Sequence, residues 1–189
     1  MKYSHAAIAA TLLAGLAGPA IAANMPMPAS TIMVGGAAMF PARNIIQNAV
    51  NSKDHMTLVA AVKAAGLVQA LEGKGPFTVF APTNEAFADL PAGTVASLLK
   101  PENKAELTKI LEYHVVPGDY NTTKLRAMIL AGGGTTSLKT LAGQKLTFAM
   151  NGSSNIIVKD VKGDVADITL ADVTQSNGVI QVIDHVLMP

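Results

Sequence analysis

An α+β fold, with a helical layer packed against a compact antiparallel β-sandwich, is predicted by two features of the sequence. Apolar residues recur at helical spacing between about residues 44 and 114, and again from about 122 to 130. From Thr135 onward, short β-type runs alternate with turn residues. Helices that precede strands in this way are typical of α+β proteins.

The first 22 residues resemble a secretory signal peptide. Lys2 gives a positive start, residues 6–17 form an apolar run, and Ala20-Ile21-Ala22 offers a small-residue cleavage site. A membrane anchor is the alternative, but the run is short and rich in alanine, and no basic cluster follows it. We therefore expect a secreted protein, periplasmic or extracellular, with no membrane span after cleavage of residues 1–22.

Residues 23–42 are predicted to form a flexible leader before a single domain at 43–189. The leader is rich in Met, Pro and Gly and has no periodicity. Its thioethers suggest an alternative role in Cu(I) binding, because sulfur ligands suit this ion. The methionines concerned are Met25, Met27, Met33 and Met39. Since their spacings do not repeat and no histidine accompanies them, we favour an unstructured linker.

The helical half divides at capping and stop residues. A short helix is predicted at 45–49, and a second one is capped by Ser52 or Asp54 and ends at Gly66. Phe77 opens an apolar strand that runs into a proline, a capping Thr-Asn pair and a new helix.

The later helices follow the same signals. Thr94 caps a small helix, and Pro101 opens a longer one in which Leu107, Leu111 and His114 share a face. Thr122 or Thr123 caps a last helix, which three glycines end. Five strands are then predicted at 135–139, 145–150, 155–160, 165–170 and 179–187.

Composition excludes several classes of function. The chain has 14 Lys and Arg residues against 13 Asp and Glu residues, so it lacks the basic excess of a nucleic-acid-binding protein. It has no cysteine, so disulfides cannot stabilise it and the hydrophobic core must do so.

No catalytic, cofactor or metal site is predicted. His55, His114 and His185 are far apart and have no zinc-site spacing. Asp184 and His185 suggest a dyad, but neighbours in a strand point to opposite faces of the sheet. No nucleophile elbow or phosphate loop occurs, so a hydrolase would need a Ser-His-Asp cluster that only folding brings together.

Three segments together resemble the fasciclin domain family. They are the strand-and-cap segment 77–87, the run Tyr-His-Val-Val-Pro-Gly at 113–118, and the C-terminal segment 176–189. The resemblance implies a wedge-shaped β-sandwich with a packed helical layer. It also implies a non-enzymatic, adhesion-type protein whose partner is a cell-surface or extracellular protein or glycan.

The resemblance also suggests two pairs of interaction residues. Asp172-Val173 stands where animal members have an Asp-Ile pair linked to integrin binding, and Tyr113-His114 matches the adhesive Tyr-His motif. The alternatives are a turn residue at Asp172 and a buried, hydrogen-bonded histidine at 114. The alternative function is a periplasmic carrier of a small ligand or a metal such as copper, for which a deep apolar pocket would be the mark.

Overall fold

The computed structural model describes residues 31–189, which form seven α-helices and nine β-strands. The helices are α1 (Ile45–Ala49), α2 (Met56–Ala65), α3 (Val68–Leu71), α4 (Asn84–Ala88), α5 (Thr94–Leu98), α6 (Lys104–Tyr113) and α7 (Thr122–Ala131). The strands are β1 (Ile32–Val34), β2 (Ala37–Met39), β3 (Phe77–Pro82), β4 (Val115–Pro117), β5 (Thr135–Lys139), β6 (Lys145–Asn151), β7 (Asn155–Lys159), β8 (Val165–Gln175) and β9 (Gly178–Ile183). None of the helices in this part of the chain is both long enough and apolar enough to cross a bilayer.

Seven strands form one sheet in the order β4-β3-β9-β8-β7-β6-β5, and β1 and β2 form a separate hairpin. Within the described sheet, β3 and β9 are the one parallel pair, and the other neighbours are antiparallel. The Leu141 N–H, just beyond β5, donates to the Val115 carbonyl of β4 at 2.8 Å. The two edges of the sheet therefore meet and nearly close a barrel, and the predicted α+β fold is confirmed.

The two parts of strand β8 pair with different neighbours. Its residues 165–167 pair with β7, whereas residues 168–175 pair with β9. The alternation of side chains along β3 then separates two cores: Val79 and Ala81 face the helical layer, and Phe80 faces the interior of the sandwich. The first fasciclin-like segment, 77–87, thus begins with a strand that is buried on both faces.

The helix boundaries follow the local chemistry. Asn44 and Gln47 form a reciprocal capping box at α1, and Thr83 caps α4 through the Ala86 N–H. Gly66 ends α2 in the left-handed conformation, with φ of 77°, as the sequence predicts. At α7 the prediction was wrong by one residue, because the Asn121 side chain is the cap and Thr122 is the first helical residue.

The segment 32–39 differs from the predicted flexible leader. It forms the β1–β2 hairpin, and Met39 is 3% exposed in the core beside the helical layer. Gly35 and Gly36 make the turn with φ of 56° and 74°, a conformation that glycine adopts without strain. Two three-residue strands are too short to show an alternating pattern. The predicted signal peptide lies outside the described residues.

The C-terminus also differs from the prediction. Strand β9 ends at Ile183 rather than at residue 187, so Asp184 and His185 are not strand neighbours and both are exposed. Asp184 instead accepts a hydrogen bond from the Asp167 N–H at 2.8 Å. After it the chain turns inward again, and Val186 and Leu187 are buried.

Candidate functional site

The Tyr113-His114 pair lies where α6 ends and β4 begins. Tyr113 is the last helical residue, His114 is the C-cap, and the two side chains are 0% and 2% exposed. Leu107, Ile110 and Leu111 hold this end of the helix in the core. The helical periodicity that places His114 on an apolar face therefore predicts its burial, and the interpretation as a core histidine is confirmed.

Both ring nitrogens of His114 have partners in the main chain. Nδ1 lies 2.8 Å from the Ile110 carbonyl oxygen, to which it donates, and Nε2 accepts the Leu187 N–H at 3.0 Å. The imidazole is therefore neutral. Burial lowers the pKa of His114 to about 4, although the Ile110 carbonyl and the Asp160 carboxylate favour the charged form.

Tyr113 and Asp160 make further hydrogen bonds to backbone groups of other segments. The Tyr113 hydroxyl donates to the Lys145 carbonyl and accepts the Val161 N–H, both at 3.1 Å. Asp160 accepts the Met188 N–H at 3.0 Å. Burial raises the pKa of the Tyr113 hydroxyl. His114 therefore joins Leu187 to the end of α6, Tyr113 joins α6 to the turn after β7, and Asp160 in that turn joins Met188.

Asp172 occupies a distorted stretch of β8. The register against β9 shifts between Ile168 and Leu170 and again between Leu170 and Val173. Asp172 has φ of 58°, the one non-glycine residue of the described chain with a positive φ. Aspartate tolerates this conformation better than most residues. The interpretation of Asp172 as a strand-end turn residue is wrong, because Asp172 lies within β8 at a bulge and the turn follows at residues 176–177.

The carboxylate of Asp172 is held by three donors. Oδ1 accepts the Thr122 N–H at 2.8 Å and the Gln181 side-chain amide at 2.9 Å, and Oδ2 accepts the Thr122 hydroxyl. Gln181 also accepts the Asp172 N–H and donates to the Tyr120 carbonyl. A negative charge here suits the first turn of α7, where helical N–H groups point outward. We call Asp172, Thr122, Gln181 and Tyr120 the bulge network.

The two predicted pairs lie near opposite ends of one row of paired strand residues. Val173, Ile180, Val79 and Val115 pair in succession across β8, β9, β3 and β4. Three strand spacings separate the ends of this row, which is roughly 14 Å. Val173 is 1% exposed and faces the helical core, whereas Asp172 is half-buried. Three of the four predicted residues are therefore interior side chains.

Sequence reasoning missed the partners of Asp172. Gln181 is fully buried within the apolar run of β9, and a glutamine in such a run is itself a signal of a polar contact. Thr122 had been assigned only a capping role. Near them, the ammonium of Lys124 lies 4.5 Å from the centre of the Tyr120 ring.

The polar groups of the predicted site residues are bonded within the protein. Within residues 31–189, no three His, Asp or Glu side chains are close enough together to hold a metal ion. The hydrogen-bonding groups of His114 and Asp172 are already engaged by the protein, which fixes backbone positions. Around Asp172, Lys124 is exposed and Tyr120 and Ala171 are half-buried. The Lys124 ammonium also donates to the Asp119 carbonyl at 3.1 Å.

Comparisons with known proteins agree with this architecture. The fasciclin domain matches residues 53–189. Over 194 residues the chain is 49% identical to protein sll1483 of Synechocystis sp., with 100% of this chain and 99% of that protein covered. Over 135 residues it is 44% identical to transforming growth factor-beta-induced protein ig-h3 of Sus scrofa, with 70% of this chain and 17% of that protein covered.

The fold has a counterpart among solved structures. A FAS1 domain pair from the insect cell adhesion molecule Fasciclin I superposes with a TM-score of 0.70 at 17% identity, over 78% of this chain and 51% of that chain. Likeness at this identity concerns the fold, whereas the match over 53–189 and the full-length relative concern the sequence. This chain belongs to the fasciclin domain family.

Proposed function

We propose that the protein is an exported, non-enzymatic interaction module that binds a protein or glycan at or outside the cell surface. Export is supported by the signal-like residues 1–22, which lie outside the described part of the chain. An adhesion-type role is supported by membership of the fasciclin domain family, whose model matches residues 53–189. The observation that carries the proposal is the bulge network, which holds Asp172 in an unfavourable backbone conformation.

A bulge aims side chains away from the regular directions of a strand, and such features concentrate at functional sites. Here the bulged residues lie against the start of α7, and Asp172 ties the two together. We assign partner contact to the bulge surface, defined as Ala171, Asp172, Tyr120 and Lys124. A rigid, partly apolar patch with an aromatic ring and a cation suits a protein or glycan partner.

The buried members of the predicted site then have a positioning role. Val173 fixes the strand after the bulge by packing in the helical core. His114 fixes the C-terminal segment through Leu187, and Tyr113 fixes the turn after β7 through Val161. Substitutions at these three positions are expected to act through the fold rather than through direct contact.

The copper alternative loses one of its ligands in the described residues. Met39 is buried among apolar side chains, whereas Met33 is 59% exposed on the other strand of the same hairpin. A thioether in the core is not available to an ion in solvent. Met25 and Met27 lie outside the described residues, so a Cu(I) role would rest on those two and Met33.

The test is retention of the purified protein on cells of its own source, measured as a binding isotherm. Lys124→Glu is expected to weaken binding at least fivefold, because it replaces the lysine of the bulge surface with a second acidic side chain beside Asp172. Lys139→Glu, an equally exposed lysine on β5, is the matched control and is expected to bind as the wild type does. Absence of saturable retention, or equal loss in both variants, would contradict the proposal.

A further inference from the structure

Two Asn-Gly pairs occur in the chain, Asn151-Gly152 and Asn177-Gly178, and the structure places them in different environments. Asn151 is the last residue of β6, and both members of the first pair are exposed at the turn between β6 and β7. Asn177 lies in the turn between β8 and β9 and is 6% exposed. The same dipeptide is therefore present once at the surface and once in the interior.

An Asn-Gly pair can react with its own main chain. The glycine nitrogen forms a bond to the asparagine Cγ, and the side-chain amide leaves as ammonia, which carries away the glycine N–H proton. Water then opens the resulting cyclic imide at one of its two carbonyls, so that aspartate or isoaspartate is formed. Glycine favours the reaction because it has no Cβ to obstruct its nitrogen and because its backbone adopts more conformations than that of other residues.

The surroundings of Asn151 leave room for this reaction. Gly152 has φ of 69°, and a Cβ at this position would meet no atom within 4 Å outside its chain neighbours. Asn151 pairs with Asn155 across the turn, so only residues 152–154 must rearrange to bring the Gly152 nitrogen to Cγ. Exposed turns of this kind open locally at little cost in free energy.

Asn177 is held on every side. Its Oδ1 accepts the Ile45 N–H at 3.0 Å, and its Nδ2 donates to the Leu71 and Gly73 carbonyls at 2.8 and 2.9 Å. Its own carbonyl accepts the Phe77 N–H at 3.0 Å, and the glycine that follows it packs against the Phe77 main chain. The nitrogen and Cγ cannot approach each other here unless the pairing of β3 with β9 opens.

The side chain of Asn151 joins the turn to β8. Asp167 Oδ1 accepts the Asn151 and Asn155 side-chain amides at 3.0 and 2.8 Å, and the Asp184 carboxylate accepts the Asp167 N–H. We propose that Asn151 is a site of spontaneous deamidation and that its conversion to aspartate or isoaspartate loosens the turn from Asp167. The new carboxylate has no N–H to donate and is repelled by the two acidic side chains. This modification site is separate from the bulge surface and adds a chemical change to the proposed binding role.

The first experiment compares the two asparagines by peptide mapping of the full chain. After incubation in mildly alkaline buffer at physiological temperature, mass spectrometry should find deamidation at Asn151 at least about tenfold faster than at Asn177. In the urea-unfolded protein the two rates should be similar, because the same dipeptide is then exposed at both positions. Similar rates in the folded protein, or an Asn151 that stays unmodified while the unfolded chain reacts, would overturn the proposal.

A glycine variant tests the route of the reaction. Gly152→Asn introduces a residue that tolerates a positive φ but adds a side chain beside the attacking nitrogen, so deamidation at Asn151 should slow about fivefold or more. Gly163→Asn, at another exposed turn glycine with φ of 96° and open space around it, is the matched control and should leave the rate at Asn151 unchanged. Peptide fragmentation distinguishes position 151 from position 152. An unchanged rate in Gly152→Asn would contradict attack by the glycine nitrogen.

A variant that carries the aspartate product tests the effect on the turn. Asn151→Asp should speed amide exchange at the strand ends beside the turn about twofold to fivefold relative to Asn151→Ala, because it alone adds a charge that faces Asp167. High salt should reduce the difference between the two variants, since it screens exposed carboxylates. Exchange in Asn151→Asp that equals that of the wild type would show that the modification does not loosen the turn.

Discussion

The Tyr-His motif and the bulge network both join distant segments through side-chain hydrogen bonds, but His114 is buried and Asp172 is half-buried. His114 is a neutral side chain inside the protein, and its hydrogen bonds go to backbone groups of the segments it fastens. Asp172 is a charged, half-buried side chain that binds the start of α7 and a buried glutamine. The Tyr-His motif fixes the C-terminal segment, and the bulge network fixes the bulged part of β8 against α7. Two residue pairs that the same family resemblance suggests therefore differ in burial, and only the half-buried Asp172 is proposed to contact a partner.

The largest effect is expected for His114→Ala at neutral pH. The change leaves the Ile110 carbonyl and the Leu187 N–H without their partner. It also enlarges the small apolar cavity that His114 lines. We expect a loss of about 4 kcal/mol in the free energy of unfolding, measured by urea denaturation. His185→Ala, at an exposed histidine, is the control, with a change within about 0.5 kcal/mol. A loss at position 114 no larger than that of the control would mean that the motif does not close the fold.

The next largest effect is the loss of stability as the pH falls, which we attribute to the neutral, buried His114. In the folded protein the pKa of His114 is lowered to about 4 from the ordinary value of 6.5, so protonation favours the unfolded chain. The stabilisation is complete above pH 6.5 and is lost as the pH falls toward 4. At 1.36 kcal/mol per pKa unit, this amounts to about 3 kcal/mol.

The measurement is the free energy of unfolding of the wild type and of His114→Gln between pH 7.5 and 4. The variant cannot titrate at this position, so its pH dependence should be much flatter. Burial also lowers the pKa of His55, whose Nδ1 lies 2.9 Å from the Ser52 hydroxyl, so some slope in the same direction should remain. Equal slopes in the wild type and the variant would show that His114 is not the acid-sensitive group.

Local signals accounted for much of the fold. The helical face of α6 predicts the burial of His114, and Gly66 marks the end of α2, because both depend on neighbours within one or two turns. The β1–β2 hairpin was missed because its strands have three residues each, although Gly35-Gly36 is a hairpin turn signal.

Non-local features could not be predicted in the same way. The parallel pairing of β3 with β9 joins segments about a hundred residues apart, and no periodicity encodes it. The partners of Asp172 come from α7 and β9, so only the folded chain shows that its carboxylate is engaged. The sequence therefore predicts the burial of His114, but not the hydrogen-bond partners of Asp172.

The smallest of these effects on stability is expected at Asp172, and it sharpens the comparison with His114. Sequence alone predicts that Asp172→Ala leaves stability nearly intact, but the structure shows three donors on this carboxylate and a left-handed backbone. We now expect a loss of about 2 kcal/mol in the free energy of unfolding.

The matched variant is Asp172→Asn, which keeps an acceptor oxygen and tolerates the positive φ. It should cost about 1 kcal/mol in thermal or urea unfolding, because it removes the charge at the start of α7 and the acceptor of the Thr122 hydroxyl but keeps the acceptor of the other two donors. If both variants unfold like the wild type, the bulge network does not hold the strand and Asp172 is free for a partner. If Asp172→Asn is stable and binds source cells weakly while Asp172→Ala loses both properties, the charge serves recognition and the hydrogen bonds serve the fold. The two roles of Asp172, in recognition and in the fold, would then be separated by experiment. For His114, burial already assigns the side chain to the fold.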